Sequence, residues 1–299
     1  MNIPEKEGGL GRSHPVVSFG FFICITGLTL LCVHPVYAVI SLACAIFYAV
    51  ILAGRKAVPV IITGFLFFLL TTLISPLLNH HGSTYLFYIG YNPVTLEVFV
   101  YSCVNATMIF SCIMWFFCYS IIITSDKFLY IFGRAFPSLG LMLSIVLRLI
   151  PKLSQQIKVI AESQCTFGFS YNQGNILSRI KSCTRILSVL VTWALEDAVI
   201  TADSMKARGY GRGKRSFFSL FRFKSRDVLL LAFIVFMVAA CVLAWYTGAA
   251  KVMYYPVIKM TSGNLYSMLF YMAFAALGLL PSFLSIKEEL RWKFCARKI

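Results

Sequence analysis

The chain has 299 residues, of which 59% are hydrophobic and only 13% are charged, about half the charged fraction of an ordinary soluble domain. With a mean hydropathy of +0.82, this composition excludes a soluble enzyme built on one core, a disordered chain and a disulfide-bonded scaffold. The 27 lysines and arginines outnumber the 11 acidic residues and give a net charge of +16. The positions of these basic residues along the chain therefore indicate the membrane topology.

Six segments are long and apolar enough to cross a membrane, since about 20 apolar residues span the hydrocarbon core. In chain order they are 16–33, 36–53, 57–78, 98–123, 228–247 and 265–286. His34-Pro35 separates the first two, and because proline breaks helices we predict two spans, with a re-entrant hairpin as the alternative. The small residues of Val36-Tyr37-Ala38 leave a cleaved signal peptide as another interpretation of the first span, with the later topology unchanged.

The apolar segment 139–150 is predicted not to cross the membrane. It has 12 residues, carries Arg148 and lies between Pro137 and Pro151. Segments of this length are more often interfacial or buried helices. The distribution of the basic residues agrees with this prediction. If 139–150 does not cross, 25 of them fall on one side of the membrane and only Lys251 and Lys259 on the other. By the positive-inside rule, both termini and the long 126–227 segment are then cytoplasmic.

The sequence thus predicts an all-α polytopic membrane protein with about six transmembrane helices and two long cytoplasmic helices. We divide it into an N-terminal membrane domain (1–125), a cytoplasmic helical domain (126–227) and a C-terminal membrane segment with a basic tail (228–299). Within the cytoplasmic domain, 138–166 is predicted to be a helix with a break near Pro151. From 176 to 207, apolar residues recur every three or four positions, which predicts a second helix about 48 Å long.

The second helix ends in Ala207-Arg208-Gly209. Taken alone, these residues form a normal helix terminus, because a cation in the last turn suits the helix dipole and glycine suits the position that follows. The surrounding sequence extends the pattern. Leu-Arg-Leu-Ile-Pro-Lys-Leu at 147–153 lies within the first helix, and Glu196-Asp197 leads toward the end of the second.

This arrangement resembles the T component of energy-coupling factor (ECF) transporters, the family that includes the cobalt transporter Q subunit. Proteins of that family carry an L-R-(F/L)-(I/L)-P segment, matched here by Arg148 and Pro151, that enters the first of two coupling helices. Each coupling helix ends in Ala-Arg-Gly. The resemblance covers essentially the whole chain and is most specific around 147–153 and 196–210.

The first of the two helix ends departs from the family pattern, which is roughly E-x-Q-x-A-R-G. Glu162, Gln164 and Gly168 fit this pattern, whereas Thr166 replaces the alanine and Phe167 replaces the arginine. One of the two expected cations is therefore missing. We expect either an asymmetric pair of docking ends or a divergent member whose first contact is apolar.

The resemblance implies a subunit of the prokaryotic cell (inner) membrane that performs no catalysis itself. It would link two ABC-type ATPases in the cytoplasm to a membrane-embedded S component that binds a vitamin or a metal ion. Ala207, Arg208 and Gly209 would dock one ATPase, and Thr166, Phe167 and Gly168 the other. The residues implied to support the coupling helices are Arg148, Pro151, Glu162, Gln164 and Glu196.

No catalytic, cofactor or metal site is predicted. The segment 209–216 resembles a phosphate loop, but three residues rather than four precede its Gly-Lys pair, and arginine follows the lysine. The basic and aromatic segment 208–226 adjoins a span, which favours contact with anionic lipid over nucleic acid. His80-His81 has no third ligand nearby in the sequence, so metal binding there is not expected.

Two other functions stay open at this point. A polytopic membrane transferase would hold Mg²⁺ through paired aspartate motifs, and the chain contains no D-x-x-D. A conventional ABC importer permease also docks an ATPase through a cytoplasmic loop. Its pattern places a glycine seven residues after a glutamate, but Asp203 stands at that distance from Glu196.

Overall fold

The computed structural model describes residues 9–79, 84–89, 92–168, 176–213, 221, 223–248, 252–254, 259–260 and 265–296. The chain divides into two compact units. Unit 1 comprises Met1–Phe128 and Phe221–Ile299, and unit 2 comprises Leu129–Leu220. The domain boundaries proposed at residues 126 and 227 stay a prediction.

Helices account for most of the described chain. In chain order the elements are α1 (Pro15–Leu31), α2 (Pro35–Ala53), a 3-10 turn (Gly54–Ala57), α3 (Val58–Leu78), β1 (Tyr85–Ile89), β2 (Asn92–Thr95), α4 (Leu96–Ile122), α5 (Ser125–Ala135), α6 (Pro137–Thr166), α7 (Ile176–Ala207), α8 (Ser225–Tyr246), β3 (Val252–Met253), β4 (Lys259–Met260) and α9 (Leu265–Ala296). The predicted all-α class is confirmed, and so is the extent of the helix over 176–207. The antiparallel hairpins β1–β2 and β3–β4 were not predicted.

Five apolar runs within the described residues are long enough to cross a membrane: Pro35–Pro76, Leu96–Ile122, Ser138–Thr166, Ser225–Tyr246 and Ser267–Arg291. The first contains both α2 and α3, and the shorter α1 is also apolar. The polytopic character of the chain is thereby confirmed. That α6 lies outside the bilayer, and which side of the membrane each loop faces, stay predictions.

Histidine begins each of the first two helices. The ring Nδ1 of His14 accepts a hydrogen bond from the Val16 N–H at 3.3 Å, and Nδ1 of His34 accepts one from the Val36 N–H at 3.2 Å. A proline follows each histidine at the first helical position, where its missing N–H costs nothing. The sequence His-Pro therefore ends one helix and starts the next, so that α1 and α2 are separate helices as predicted.

Helix α4 lies at the centre of unit 1 and packs against α1, α2 and α3, while α9 packs against α2 and α8. The fully buried Trp115 of α4 donates its indole N–H to Ser41 Oγ of α2 at 3.0 Å. Its ring meets Phe21 of α1 edge-on at 5.8 Å. Aromatic packing of this kind, with the indole N–H satisfied, helps to hold helices together where hydrophobic burial contributes little.

The predicted break at Pro151 is wrong. Helix α6 runs without interruption from Pro137 to Thr166, with Pro151 inside it. Proline removes one backbone hydrogen bond and crowds the preceding turn, at a cost of about 3 kcal/mol. Here 14 helical residues precede it and 15 follow, and α6 also contacts α7. The result is one long helix in place of two shorter ones.

Candidate functional site

Helices α6 and α7 contact each other within unit 2, and a lysine lies at the contact. Lys152 of α6 donates a hydrogen bond to Asp197 Oδ1 of α7 at 2.5 Å. The same ammonium lies 5.1 Å from the centre of the Trp193 ring, one turn earlier on α7. One cation therefore engages two side chains on the same face of α7, one by charge and the other by its aromatic ring.

Beyond this lysine the two helices line an apolar groove of about 810 Å³. Its walls include Ile157, Ala161 and Cys165 of α6 and Ile186, Leu187 and Leu190 of α7. Higher numbers on α6 therefore face lower numbers on α7, so the two helices run antiparallel. It follows that the C-terminal ends of α6 and α7 leave the contact region in opposite directions.

The end of α7 forms a Schellman motif. Gly209 has a φ of +80°, its N–H donates to the Lys206 carbonyl at 2.9 Å, and the Tyr210 N–H donates to the Met205 carbonyl at 3.0 Å. These two bonds satisfy carbonyls that a helix terminus otherwise leaves open. Glycine is favoured because a left-handed backbone costs any other residue roughly 1–2 kcal/mol.

The end of α6 has the same backbone geometry. Gly168 has a φ of +82°, and its N–H donates to the Cys165 carbonyl at 3.0 Å, the same pairing that Gly209 makes with Lys206. The two ends also match in sequence, with an acid six residues before each glycine, Glu162 in one and Asp203 in the other. Thr166-Phe167-Gly168 and Ala207-Arg208-Gly209 thus occupy equivalent positions in two equivalent helix ends.

The side chains at these two ends differ in chemistry. Phe167 is 74% exposed, and Thr166 donates its hydroxyl to the Ser163 carbonyl at 2.6 Å, so that the hydroxyl is satisfied within the helix. Arg208 is exposed at the equivalent position on α7. One end therefore presents an apolar ring and the other a cation.

The remaining predicted residues fall into two groups. Arg148, Pro151 and Glu196 are exposed and lie near Lys152 and Asp197 along their helices. Glu162 and Gln164 lie in the last two turns of α6, where the Gln164 carbonyl accepts the Phe167 N–H at 3.2 Å and Glu162 borders the groove. The second group thus lies at the end of α6, and each residue of the first group lies within four residues of Lys152 or Asp197 in the sequence.

Sequence reasoning missed the interaction between Lys152 and Asp197. Both residues adjoin positions that it singled out, since Lys152 follows Pro151 and Asp197 follows Glu196. Their separation of 45 positions in the sequence conceals the pairing, because only the antiparallel arrangement of α6 and α7 brings them together. The available signal for this pairing was that Lys152 and Asp197 carry opposite charges and each lie next to a recognised motif.

Most of the apolar residues whose three- and four-residue spacing predicted α7 are exposed. Ile180 is 59% and Leu187 58% exposed, whereas Leu190 is buried. In the part of the chain that the structure describes, no group of three histidine, cysteine, aspartate or glutamate side chains could hold a metal ion. The pair His80-His81 lies outside the described residues. The long helices of unit 2 and their exposed ends are therefore candidate functional features of the described residues.

A family model described as cobalt transport protein (CbiQ) matches residues 11–219. Relatives of the chain include proteins named energy-coupling factor transporter transmembrane protein EcfT. The one from Lactococcus lactis subsp. cremoris is 38% identical over 106 residues, which cover 35% of this chain and 40% of the relative.

The relative from Bacillus selenitireducens is 35% identical over 108 residues, covering 36% and 40% of the two chains. That from Listeria innocua is 39% identical over 94 residues, covering 31% and 36%. The chain thus spans about two fifths of the length of the curated relatives it matches. The resemblance that the sequence motifs indicated is confirmed.

Proposed function

The chain belongs to the CbiQ family of cobalt transport proteins, and we propose that it is the transmembrane coupling subunit of an ECF-type ABC importer. In this role it transmits motion from two ATPase subunits to a membrane-embedded S component that binds a vitamin or a metal ion. The names of its relatives support this proposal. Membership of this family also disfavours a membrane transferase and a conventional importer permease.

The observation that carries the proposal is the pair of equivalent ends on two long antiparallel helices, α6 and α7. A helix is stiff along its axis, so a displacement applied at one end reaches the other. Lys152 joins the two helices through Asp197 and Trp193. Movement of one helix therefore displaces its partner, which is what a coupling element requires.

Arg208 is the proposed anchor for one ATPase. Its guanidinium can form two parallel charge-assisted hydrogen bonds with a carboxylate in a docking groove. Ala207 adds no side chain that would hold the groove away, and Gly209 turns the backbone sharply after the contact. These three residues therefore combine a directional charge with room for close approach.

Thr166, Phe167 and Gly168 form the proposed second docking end, on α6. Glu162 and Gln164 shape the last turns that present this end. Three residues lie close to Lys152 or Asp197 along their helices: Arg148, Pro151 and Glu196. We propose that they support the contact between α6 and α7. No step of this role requires a reacting group in the chain, so ATP hydrolysis is assigned to the partner ATPases.

The proposed location is the prokaryotic inner membrane, with both termini and the two coupling helices in the cytoplasm. The positive-inside distribution of the basic residues supports this orientation. In that arrangement the ends of α6 and α7 are accessible to soluble ATPases. Selection of the solute rests with the S component.

Charge reversal at the α7 end tests the proposal. Arg208→Glu should lower the amount of ATPase that co-purifies in detergent by about tenfold or more, because an unpaired charge is then buried in the groove. Arg212→Glu makes the same charge change four residues later and should have a much smaller effect. The proposal fails if Arg208→Glu leaves both ATPase yield and solute uptake at the level of the unmodified protein.

A further inference from the structure

Two cysteines lie on opposite walls of the groove between α6 and α7. Cys165 of α6 and Cys183 of α7 both line this groove, and both are exposed. The other seven cysteines that the structure describes are buried or half-buried and lie in or beside the apolar helices α1, α2, α4 and α8. Among the described cysteines, Cys165 and Cys183 are therefore the pair that solvent reaches.

The antiparallel arrangement of the helices places the two cysteines at the same level. From the contact between Lys152 and Asp197, Cys165 lies 13 positions further along α6, and Cys183 lies 14 positions back along α7. At a rise of 1.5 Å per residue, these steps are about 20 and 21 Å long. The two thiols thus lie at levels that differ by about the rise of one residue.

Packing alone does not account for a cysteine at these two positions. A buried cysteine serves as a small apolar side chain, whereas an exposed one contributes little to packing. Both residues lie in regular helix, since Cys183 is in the third turn of α7 and Cys165 is in the last turn of α6. The Cys165 carbonyl accepts the Gly168 N–H at 3.0 Å. Their backbones are therefore held in place while their thiols stay accessible.

We propose that Cys165 and Cys183 form a redox-modification site, in which hydrogen peroxide converts the two thiols into a disulfide that joins α6 to α7. The thiolate of one cysteine attacks a peroxide oxygen, the O–O bond breaks, and a sulfenic acid and one water are formed. The second thiol attacks the sulfenic sulfur, so that the S–S bond forms, the S–O bond breaks, and the oxygen leaves with the thiol proton as a second water. The two thiols lose two electrons and the peroxide gains them.

The bond is reversible in the location proposed for these helices. Cytoplasmic thiols are kept reduced, and disulfides there are transient and sense oxidants. The pair therefore rests as two thiols, is oxidised when peroxide accumulates, and is restored by a dithiol reductant through thiol–disulfide exchange.

The disulfide clamps the end of α6 against the beginning of α7, because it requires Cα atoms within about 7 Å of each other. Lys152 and Asp197 already join the helices about 20 Å away. Two links at separate levels prevent the sliding and splaying that a single link permits. This consequence rests on the proposed function, in which α6 and α7 transmit motion, and oxidation there lowers coupling.

Peptide mapping tests the site. The full-length protein in native membranes is treated with hydrogen peroxide, free thiols are alkylated, and disulfide-linked peptides are identified by mass spectrometry. We expect a peptide pair joining Cys165 to Cys183 that increases by about tenfold or more with peroxide and disappears after dithiothreitol. Cys165→Ser and Cys183→Ser should each abolish this pair, whereas Cys103→Ser, at a half-buried position of α4, should leave it unchanged.

Membranes that contain a mixture of unlabelled and heavy-isotope-labelled protein distinguish a bond within one chain from a bond between two copies. Absence of the linked pair overturns the inference. Oxidation of the two thiols to separate adducts, or bonds found only between different chains, overturns it as well.

ATP hydrolysis by the complex that co-purifies with the tagged protein tests the clamp. Peroxide should lower the rate severalfold and dithiothreitol should restore it, whereas the Cys183→Ser complex should keep its rate. Peroxide also oxidises thiols of other subunits, and the variant reports that contribution. An equal loss of rate in both complexes overturns the clamp. Absence of ATP hydrolysis before peroxide is added contradicts the proposed function, and the linked peptide still tests the site.

Discussion

Lys152 of α6 and Asp197 of α7 are joined by a hydrogen bond of 2.5 Å, although they are 45 positions apart in the sequence. The lysine side chain is 47% exposed and the aspartate 22%, so water screens the pair and its free energy is modest. Its importance is positional. It lies at the contact between the two antiparallel helices whose ends we assign to ATPase docking.

A double-mutant cycle measures this interaction. Lys152→Ala and Asp197→Ala, separately and together, should give a coupling free energy of about 0.5–1 kcal/mol in unfolding experiments in detergent. Trp193→Leu should also weaken the helix pair, because it removes the aromatic ring beneath the ammonium, worth about 0.5–1 kcal/mol. Strict additivity of the two alanine substitutions would show that Lys152 and Asp197 do not interact.

The helix ends depend on their glycines. Gly209→Ala should destabilise the α7 terminus by about 1–2 kcal/mol, because φ is +80° there and alanine avoids the left-handed region. Hydrogen exchange of the Tyr210 amide, which closes the Schellman motif, should accelerate accordingly. Gly213→Ala is the matched control, since Gly213 has open space around it and no positive φ. Equal exchange rates in both variants would contradict the assigned terminus.

The packing of α3 on α4 depends on Gly64. A Cβ at this position would lie 2.2 Å from Cε2 of the buried Phe110 ring, so Gly64→Ala should cost about 1–3 kcal/mol through overpacking. Gly20→Ala, in α1, meets no atom within 4 Å and should be neutral or slightly stabilising. Thermal denaturation in detergent distinguishes them, and similar midpoints for the two variants would argue against close contact between α3 and α4.

His34 makes the stability of unit 1 depend on pH. Burial lowers the pKa of its imidazole from the usual 6.5, so the folded protein favours the neutral ring. The unfolded chain then binds more protons, and stability is complete above pH 6.5 and decreases as the pH falls below it. Protonation would also place a hydrogen on Nδ1, which accepts the Val36 N–H.

His34→Asn tests this dependence, because asparagine caps a helix without titrating. The variant should lose the contact with the Tyr271 hydroxyl, 3.0 Å from Nε2, and be somewhat less stable at pH 7.5. Its free energy of unfolding should change less between pH 7.5 and 5.5 than that of the unmodified protein. An equal pH dependence in both proteins would exclude His34 as the titrating group.

Local patterns in the sequence were sufficient to predict most helices. The apolar period over 176–207 and the glycine that follows define α7 because both signals act within one helix. His34-Pro35 predicted the break between α1 and α2 for the same reason. The break expected at Pro151 is absent, because proline removes only one backbone hydrogen bond from the 30-residue helix α6.

The relation between the two helices could not be derived from local patterns. The pairing of Lys152 with Asp197 and the antiparallel groove depend on contacts between residues far apart in the chain. The motif at Gly168 was only partly recognisable, because Phe167 replaces the expected cation. The backbone geometry nevertheless makes the α6 end equivalent to the α7 end, and side-chain identity alone did not reveal this equivalence.

The central claim is that the end of α7 contacts a nucleotide-binding partner. The most direct measurement replaces Tyr210, which follows the docking residues, with a photo-reactive phenylalanine analogue in the full-length protein. After irradiation of native membranes, cross-linked peptides are identified by mass spectrometry. We predict a covalent adduct with an ABC-type ATPase, and adducts with lipid alone would contradict the account.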